Sequence, residues 1–222
     1  MAQKKVNAVI HSQEKLAEGI YSMWLDAPEM AKAAVPGQFI AVYTNDQSKL
    51  LPRPISICEA DKENGRLRIV YRIAGAGTKE FSAYKEGDTL DIMGPLGNGF
   101  PLKKKKAFLI GGGIGIPPML ELAKNLDCEK TAVIGYRDKE TFLADELRKY
   151  ADVVIATEDG SVGTKGNVID AIRAEKLTAD IIYACGPTPM LKALKTYAME
   201  NGIECYISLE EKMACGIGAC LG

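Results

Sequence analysis

The stretch Leu109 to Met119, LIGGGIGIPPM, constrains the fold more than any other part of this sequence. An apolar run ending in Gly111, Gly112, Gly113 and Gly115 predicts a strand, then a tight turn, then a helix that the prolines can begin. Glycines at such a turn let the backbone approach a phosphate, and the N-terminus of the helix presents N–H groups to it. A purely structural turn fits the same residues, so the rest of the chain has to decide.

The composition excludes several classes of protein. The 222 residues suffice for one large domain or two ordinary ones, and a net charge of -1 argues against nucleic acid. The lysine run at 103–106 is interpreted as a solvated loop between domains. No apolar run reaches the roughly 18 residues of a membrane span, and the N-terminus lacks the apolar core of a signal peptide. We therefore expect a cytoplasmic protein whose six cysteines stay reduced unless they bind metal.

The first half of the chain has the pattern of a small β domain. Short segments rich in Val, Ile and Tyr are separated by turn signals such as Pro36-Gly37 and Asn64-Gly65. They predict strands at 5–11, 20–26, 38–44, 54–59, 67–73 and 89–93, with a brief helix at 78–84. We expect residues 1–102 to form an antiparallel β-barrel, because closing the sheet removes its edges.

Two segments of this domain carry chemistry. In Arg53-Pro54-Ile55-Ser56, the guanidinium suits a pyrophosphate and the hydroxyl can donate to a ring nitrogen. Val70-Tyr71-Arg72 leads into Gly75-Ala76-Gly77-Thr78, where Thr78 can cap a helix whose free N–H groups face a diphosphate. A surface ion pair and an ordinary capped turn would explain the same residues.

The second half alternates apolar runs with helical patterns. Strands are predicted at 107–111, 131–136, 152–156, 180–185 and 204–209, and helices at 117–125, 141–150, 167–174 and 188–201. This order implies right-handed βαβ units and a doubly wound parallel sheet over residues 103–207. Ligands of such sheets bind at the carboxyl ends of the strands.

Several loops at those strand ends suggest a nucleotide pocket. They contain the glycines after Leu109, Gly135-Tyr136-Arg137, the pair Glu158 and Asp159, and Cys185-Gly186-Pro187. A carboxylate can accept a hydrogen bond from a free ribose hydroxyl, so Glu158 and Asp159 favour NAD(H). Arg137 and Lys139 on the neighbouring loop would instead suit a 2′-phosphate, and Cys185 is also compatible with a buried structural thiol.

The C-terminal stretch 208–222 contains Cys215 and Cys220 with C-x4-C spacing and glycines between them. Plant-type [2Fe–2S] ligation begins with this spacing and continues with C-x2-C. The third ligand of that pattern would follow Gly222, so we expect a cysteine-bearing tail beyond it. An incidental pair of cysteines is the alternative.

Taken together, these motifs resemble a known family. The segments RPIS, GAGT, GPLGNGF, GGGIG and CGP occur in the order typical of the ferredoxin-NADP reductase superfamily. Ile55 replaces the Tyr that stacks on the flavin there, so the isoalloxazine would lie on an aliphatic face or on Tyr71. With TEDGSVGTKG, YACGPTPML and SLEEKMACGIGAC, the whole chain resembles the electron-transfer subunits of B-type dihydroorotate dehydrogenases.

The resemblance implies an NAD-linked oxidoreductase subunit that contains FAD and a [2Fe–2S] cluster. Residues 53–56, 70–72 and 77–78 would bind FAD, Cys185 would lie near the nicotinamide, and Cys215 and Cys220 would hold iron. The partner would be an FMN-containing catalytic subunit that oxidises dihydroorotate to orotate, in a heterotetramer with two copies of each chain. No acid–base residue is expected, since hydride transfer needs none, and the lone His11 is interpreted as structural.

Two other functions fit the same motifs. One is the small subunit of a sulfide dehydrogenase or of a bifurcating NADH:ferredoxin–NADP⁺ oxidoreductase, where the partner sets the substrate. The other is a nucleotide-sensing module that has lost its flavin, which only Ile55 supports.

Overall fold

The computed structural model describes residues 4–46 and 48–209. The described residues up to 99 form one compact unit, and residues 100–209 form a second.

The first unit is a closed antiparallel barrel, as predicted. Its strands follow the order β1-β2-β5-β4-β3-β6 around the barrel. Large apolar side chains that alternate along the strands, such as Met23, Leu25 and Ile40, fill its interior and are fully buried. The strands are β1 (Lys4–Ala17), β2 (Ile20–Asp26), β3 (Phe39–Val42), β4 (Arg53–Asp61), β5 (Arg66–Arg72) and β6 (Thr89–Leu96).

Strand β1 extends six residues beyond its predicted end. It pairs with β6 through its first part and with β2 through its second, with register shifts between Ile10 and Ser12 and between Lys15 and Ala17. The sequence did not predict the second part of β1, because its polar residues resemble those of a loop. Gln13 shows their use, because its amide donates to the carbonyl oxygens of Phe81 (3.1 Å) and Tyr84 (2.8 Å).

Two short helices accompany the barrel, α1 (Pro28–Ala33) and α2 (Ala76–Phe81). Helix α1 was not predicted, because six residues are too few to establish a helical period. It begins with Pro28 and buries Met30 and Ala31. Helix α2 begins two residues before the predicted helix, at Ala76.

The second unit is a parallel sheet with helices, which confirms the predicted fold class. The strands follow the order β10-β9-β8-β7-β11-β12 and every pair is parallel. No helix in the described part of the chain is long and apolar enough to cross a membrane. The elements are β7 (Ala107–Gly112), α3 (Pro117–Asn125), β8 (Lys130–Tyr136), α4 (Ala144–Leu147), β9 (Asp152–Thr157), β10 (Thr164–Lys165), α5 (Val168–Ala174), β11 (Ile181–Cys185), α6 (Thr188–Asn201) and β12 (Glu204–Ser208).

The lysine run before β7 is neutralised by carboxylates of its own unit. Lys103 and Lys105 both pair with Glu204, at the start of β12. Lys104 pairs with Asp127, and Lys106 pairs with Glu129. The run therefore fixes the segment that leads into the sheet, and its charges already have partners.

Glu204 is the centre of this arrangement. Hydrogen bonds from Lys103, then from the Tyr206 hydroxyl (2.8 Å) and Lys105, lower the pKa of its carboxyl to about 2. A depressed pKa in the folded state stabilises the fold above the unfolded pKa of about 4.3, and this contribution is lost as the pH falls toward 2.

We expect Glu204→Gln to lower the midpoint of thermal unfolding at pH 7, because the variant loses its charge-assisted hydrogen bonds. The difference from the unaltered chain should shrink as the pH is lowered from about 5 to about 2. Asp127→Asn is the matched control, because its ion pair with Lys104 is largely exposed and should contribute little. A difference that does not depend on pH would contradict this role of the Glu204 charge.

Candidate functional site

The barrel places a cationic side chain where β4 begins. The Arg53 Nη1 atom donates a hydrogen bond to the carbonyl oxygen of Leu51 at 2.5 Å. Within the described residues, Arg53 forms no ion pair with a carboxylate. A guanidinium that is held in place without a counter-charge can bind an anion.

Gly77, in the first turn of α2, lies directly against this guanidinium. A Cβ atom added at Gly77 would be 2.1 Å from Arg53 Nε and 2.4 Å from Cζ, so a larger residue there would displace the guanidinium from this position. The N–H groups of the first helical turn have no acceptor within the helix. The guanidinium and these N–H groups together form a donor set that matches a diphosphate, so the residues present fit the diphosphate of FAD.

Thr78 has a different local role from the predicted one. It is the third residue of α2, and its hydroxyl oxygen accepts hydrogen bonds from the N–H groups of Ala74 (2.8 Å) and Gly75 (3.2 Å). Gly75, in extended conformation, takes the N-cap position. Thr78 therefore shapes the turn before the helix and leaves the first-turn N–H groups unused.

The other residues predicted to contact a flavin divide between the two sides of the barrel wall. Ile55 and Tyr71 face the barrel core. The Tyr71 ring is stacked on Tyr21, and its hydroxyl donates to Gln13 Oε1 at 2.8 Å. Burial raises the pKa of this phenol. Because both side chains are buried inside, a flavin on this barrel would meet the backbone near them rather than an open Ile55 or Tyr71 face.

Pro54, Ser56, Val70 and Arg72 occupy the alternate positions of β4 and β5. Pro54 and Arg72 are exposed, Ser56 is half-buried and Val70 is buried. On these strands, Ser56 is the predicted residue that keeps an accessible polar side chain on the same element as Arg53.

In the second unit, the Gly-rich turn and the end of β11 are brought together as predicted. Gly111 pairs in register with Cys185, and a 3-10 turn at Gly113–Gly115 follows β7. A Cβ atom at Gly115 would lie 2.3 Å from the Cys185 carbonyl oxygen. This contact fixes the turn against Cys185 and Gly186, beside the exposed Pro187, at the carboxyl edge of the sheet.

Met190 belongs to the same edge but has no signal in the sequence pattern. A Cβ atom at Gly112 would lie 2.6 Å from its sulfur, and one at Gly186 would lie 2.6 Å from its methyl group. The Met190 side chain thus packs on the backbone of both glycines. Only the tertiary structure identifies it as part of this edge.

The carboxylates predicted to recognise a ribose lie further from the Gly-rich turn. Glu158 and Asp159 are exposed after β9, which is separated from β7 by β8, a distance of two strand spacings or about 10 Å. Asp159 also accepts a hydrogen bond from the Ser161 N–H at 2.9 Å, and hydrogen bonds from Ser161 lower the pKa of its carboxyl. Its carboxylate is therefore engaged within its own loop.

The loop after β8 carries two acidic residues that the sequence analysis did not consider. Asp138 and Glu140 are exposed there, and the Asp138 carboxylate accepts the Glu140 N–H at 2.9 Å. Because β8 is the immediate neighbour of β7, this loop is next to the Gly-rich turn. The sequence analysis considered Arg137 and Lys139 of this loop but not its acidic residues.

The predicted iron ligands, Cys215 and Cys220, lie outside the described residues. The four cysteines in the described part of the chain form no disulfide with one another.

Comparison with known proteins gives these sites a context. Residues 7–100 match the family of oxidoreductase FAD-binding domains. Similar solved structures include a ferredoxin NADP⁺ reductase from Neisseria gonorrhoeae, which shares 17% identity with a TM-score of 0.76 and shows the fold alone; the match covers 93% of this chain and 99% of that one. The fold and the first site thus define an oxidoreductase subunit with an FAD-binding barrel.

The curated relatives narrow the class to a family. A protein of Geobacillus sp. is 43% identical over 99% of this chain and 88% of its own length. A protein of Streptococcus mutans is 45% identical over 97% of this chain and 86% of its own length. Both are named dihydroorotate dehydrogenase B (NAD(+)), electron transfer subunit. The chain belongs to this family of electron transfer subunits.

One solved structure is also similar in sequence. It comes from work on flavin-based electron bifurcation by an NADH-dependent reduced ferredoxin-NADP oxidoreductase. It shares 32% identity and a TM-score of 0.88, and the match covers 99% of this chain and 82% of that chain.

The contact between Gly77 and Arg53 generates a prediction with a control two residues away. Gly77→Ala should weaken FAD retention by roughly tenfold or more, because the new methyl group displaces the guanidinium and about 1.4 kcal/mol suffices for that change. Gly75→Ala should retain FAD, since nothing lies within 4 Å of a Cβ atom there. The measurement is the flavin absorbance that stays with each purified chain. Equal losses of flavin from both variants would contradict a diphosphate site formed by Arg53 and the first turn of α2.

Proposed function

We propose that this chain passes electrons between NAD and a catalytic partner subunit that oxidises dihydroorotate to orotate. The observation that carries the proposal is similarity over nearly the whole chain to relatives named for this role, at 42–45% identity. The approach of Gly77 to the Arg53 guanidinium supports the proposal independently, because the donors there suit the diphosphate of a dinucleotide.

We assign FAD binding to residues 1–102, NAD binding to 103–207 and cluster binding to 208–222. When bound, FAD can exchange electrons in pairs with NAD(H) and singly with a [2Fe–2S] cluster. Arg53 and the N–H groups at Gly77 and Thr78 hold its diphosphate, and Ser56 offers a hydroxyl to the ring. The remaining contacts proposed for FAD come from Pro54, Ile55, Val70, Tyr71 and Arg72.

For the nicotinamide dinucleotide, we propose the carboxyl edge of the parallel sheet. Gly111, Gly112, Gly113 and Gly115 let its phosphates approach the backbone, and Cys185-Gly186-Pro187 borders the nicotinamide. Hydride transfer itself requires no acid or base from the chain, because the hydrogen moves with its electron pair. Its residues bind and orient the dinucleotide.

Preference for NAD(H) over NADP(H) follows from acidic residues at this edge. We propose that Asp138 and Glu140, in addition to Glu158 and Asp159, exclude a 2′-phosphate. The loop after β8 is the stronger candidate, because β8 is the immediate neighbour of β7 and the loop therefore borders the Gly-rich turn.

The double variant Asp138→Asn, Glu140→Gln tests this preference. It should lower the ratio of kcat/KM for NADH to that for NADPH by roughly tenfold, since Arg137 and Lys139 remain to meet the 2′-phosphate and tenfold corresponds to about 1.4 kcal/mol. Glu158→Gln is the control and should change the ratio less. A larger effect of Glu158→Gln would move the ribose site to the loop after β9.

The partner is proposed to be an FMN-containing catalytic subunit, in a heterotetramer with two copies of each chain. The second candidate function is the small subunit of a bifurcating NADH-dependent ferredoxin-NADP oxidoreductase, which the 32% identical structure favours. Copurification of the partner subunit distinguishes the two candidate functions. A partner containing FMN that oxidises dihydroorotate supports the first, whereas a larger iron–sulfur flavoprotein supports the second.

Cys215 and Cys220 are proposed as ligands of the [2Fe–2S] cluster. In the complex with the partner, Cys215→Ser or Cys220→Ser should remove the iron and abolish dihydroorotate-dependent reduction of NAD⁺. Reduction of an artificial dye by NADH should continue, because it needs only FAD. Cys128→Ser is the control and should keep the iron content of the unaltered complex. Either cysteine variant retaining its iron and its dihydroorotate activity would overturn the ligand assignment.

A further inference from the structure

Two apolar side chains shortly before Arg53, separated from it by Pro52, are unusually exposed. Leu50 is 83% exposed and Leu51 is 58% exposed. Single exposed leucines are common, but these two are consecutive and border the cationic end of β4. Covering them would remove apolar surface from water, which is favourable by about 25 cal/mol per Å².

The residues before these leucines are held firmly. The Glu80 carboxylate of α2 accepts hydrogen bonds from the Asn45 N–H (2.7 Å) and the Tyr84 hydroxyl (2.6 Å). It also pairs with Lys49 at 2.7 Å, and Lys49 in turn pairs with Asp46 at 3.0 Å. The leucines therefore follow a fixed anchor.

Arg53, two residues after Leu51, is held as well. The Leu51 carbonyl oxygen accepts the hydrogen bond from Arg53 Nη1, so the leucine backbone and the guanidinium share one contact. A ligand whose phosphate binds Arg53 comes within reach of the Leu51 side chain. The exposed pair is thus continuous with the diphosphate site.

The direction of the strand decides which part of FAD comes here. The flavin end is proposed to lie along Ser56, which follows Arg53 on β4, and along the backbone of residues 70–72 on β5. The adenosine end leaves the diphosphate on the other side. The residues on that side are Leu50 and Leu51, and a flat adenine ring has the apolar face that two leucines can cover.

We propose that Leu50 and Leu51 form the contact surface for the adenine of FAD and thereby select FAD over FMN. The proposal rests on the proposed function, since it requires FAD at Arg53. The two leucines would contact the adenine-containing half of FAD, which FMN lacks.

The experiment compares the two flavins on the full chain. The double variant Leu50→Ser, Leu51→Ser and the unaltered chain are stripped of flavin, and each is titrated with FAD and with FMN. The dissociation constant for FAD should rise by roughly tenfold in the variant, as expected for losing about 1.4 kcal/mol of apolar contact. The constant for FMN should stay the same. Met199→Ser, which alters a 73% exposed side chain on α6, is the control and should change neither constant.

A second variant guards against a general disturbance of the segment. Leu51→Phe keeps an apolar surface and should retain FAD affinity within about threefold, which is less than 1 kcal/mol. Equal weakening of FAD and FMN in the double serine variant would overturn the proposal, and so would unchanged FAD affinity, which would leave the leucines to a protein partner. If the unaltered chain binds neither flavin, the FAD site itself is wrong, a result distinct from both.

Discussion

Both candidate sites depend on a close backbone approach that leaves no room for a Cβ atom. In the barrel, Gly77 lies against the Arg53 guanidinium, and in the parallel sheet Gly115 lies against the Cys185 carbonyl. Each approach leaves backbone N–H groups accessible, because no side chain stands between them and a ligand. The barrel holds the first approach by placing Arg53 at a strand end, and the register of β7 with β11 holds the second.

Closure of the barrel also decides which side chains a bound flavin can reach. Side chains alternate between the two faces of a strand, so Ile55 could turn outward only if its neighbours on β4 also exchanged faces. Ile57 is buried in the same core, and that exchange would expose it. The cofactor must therefore use the outer positions, the backbone and the strand end. This constraint explains why the aliphatic residue at position 55 does not by itself argue for or against flavin binding.

The sequence predicted most of the elements but not their surroundings. Strand β2 was predicted with its observed bounds, because the run is rich in strand-forming Ile, Tyr and Trp and Gly19 precedes it. The second part of β1 was missed because its polar residues resemble a loop. Only the tertiary structure shows that they pair with β2. The order of strands in the parallel sheet was not predicted, so only the structure shows that the loop after β8 is nearer to the Gly-rich turn than Glu158 and Asp159 are. Local pattern identifies strands, whereas neighbours across the sheet depend on the whole chain.

Charge shows the same distinction between a residue and its surroundings. The lysines at 103–106 form the most basic run in the sequence, yet each of them pairs with a carboxylate in the folded unit. Arg53 stands alone in its segment, yet the described residues provide it with no carboxylate. An anion binds where a cation is held without a partner, not where cations are most numerous along the chain. Arg53 is therefore the better indicator of a phosphate site than the lysine run, although the run carries more positive charge.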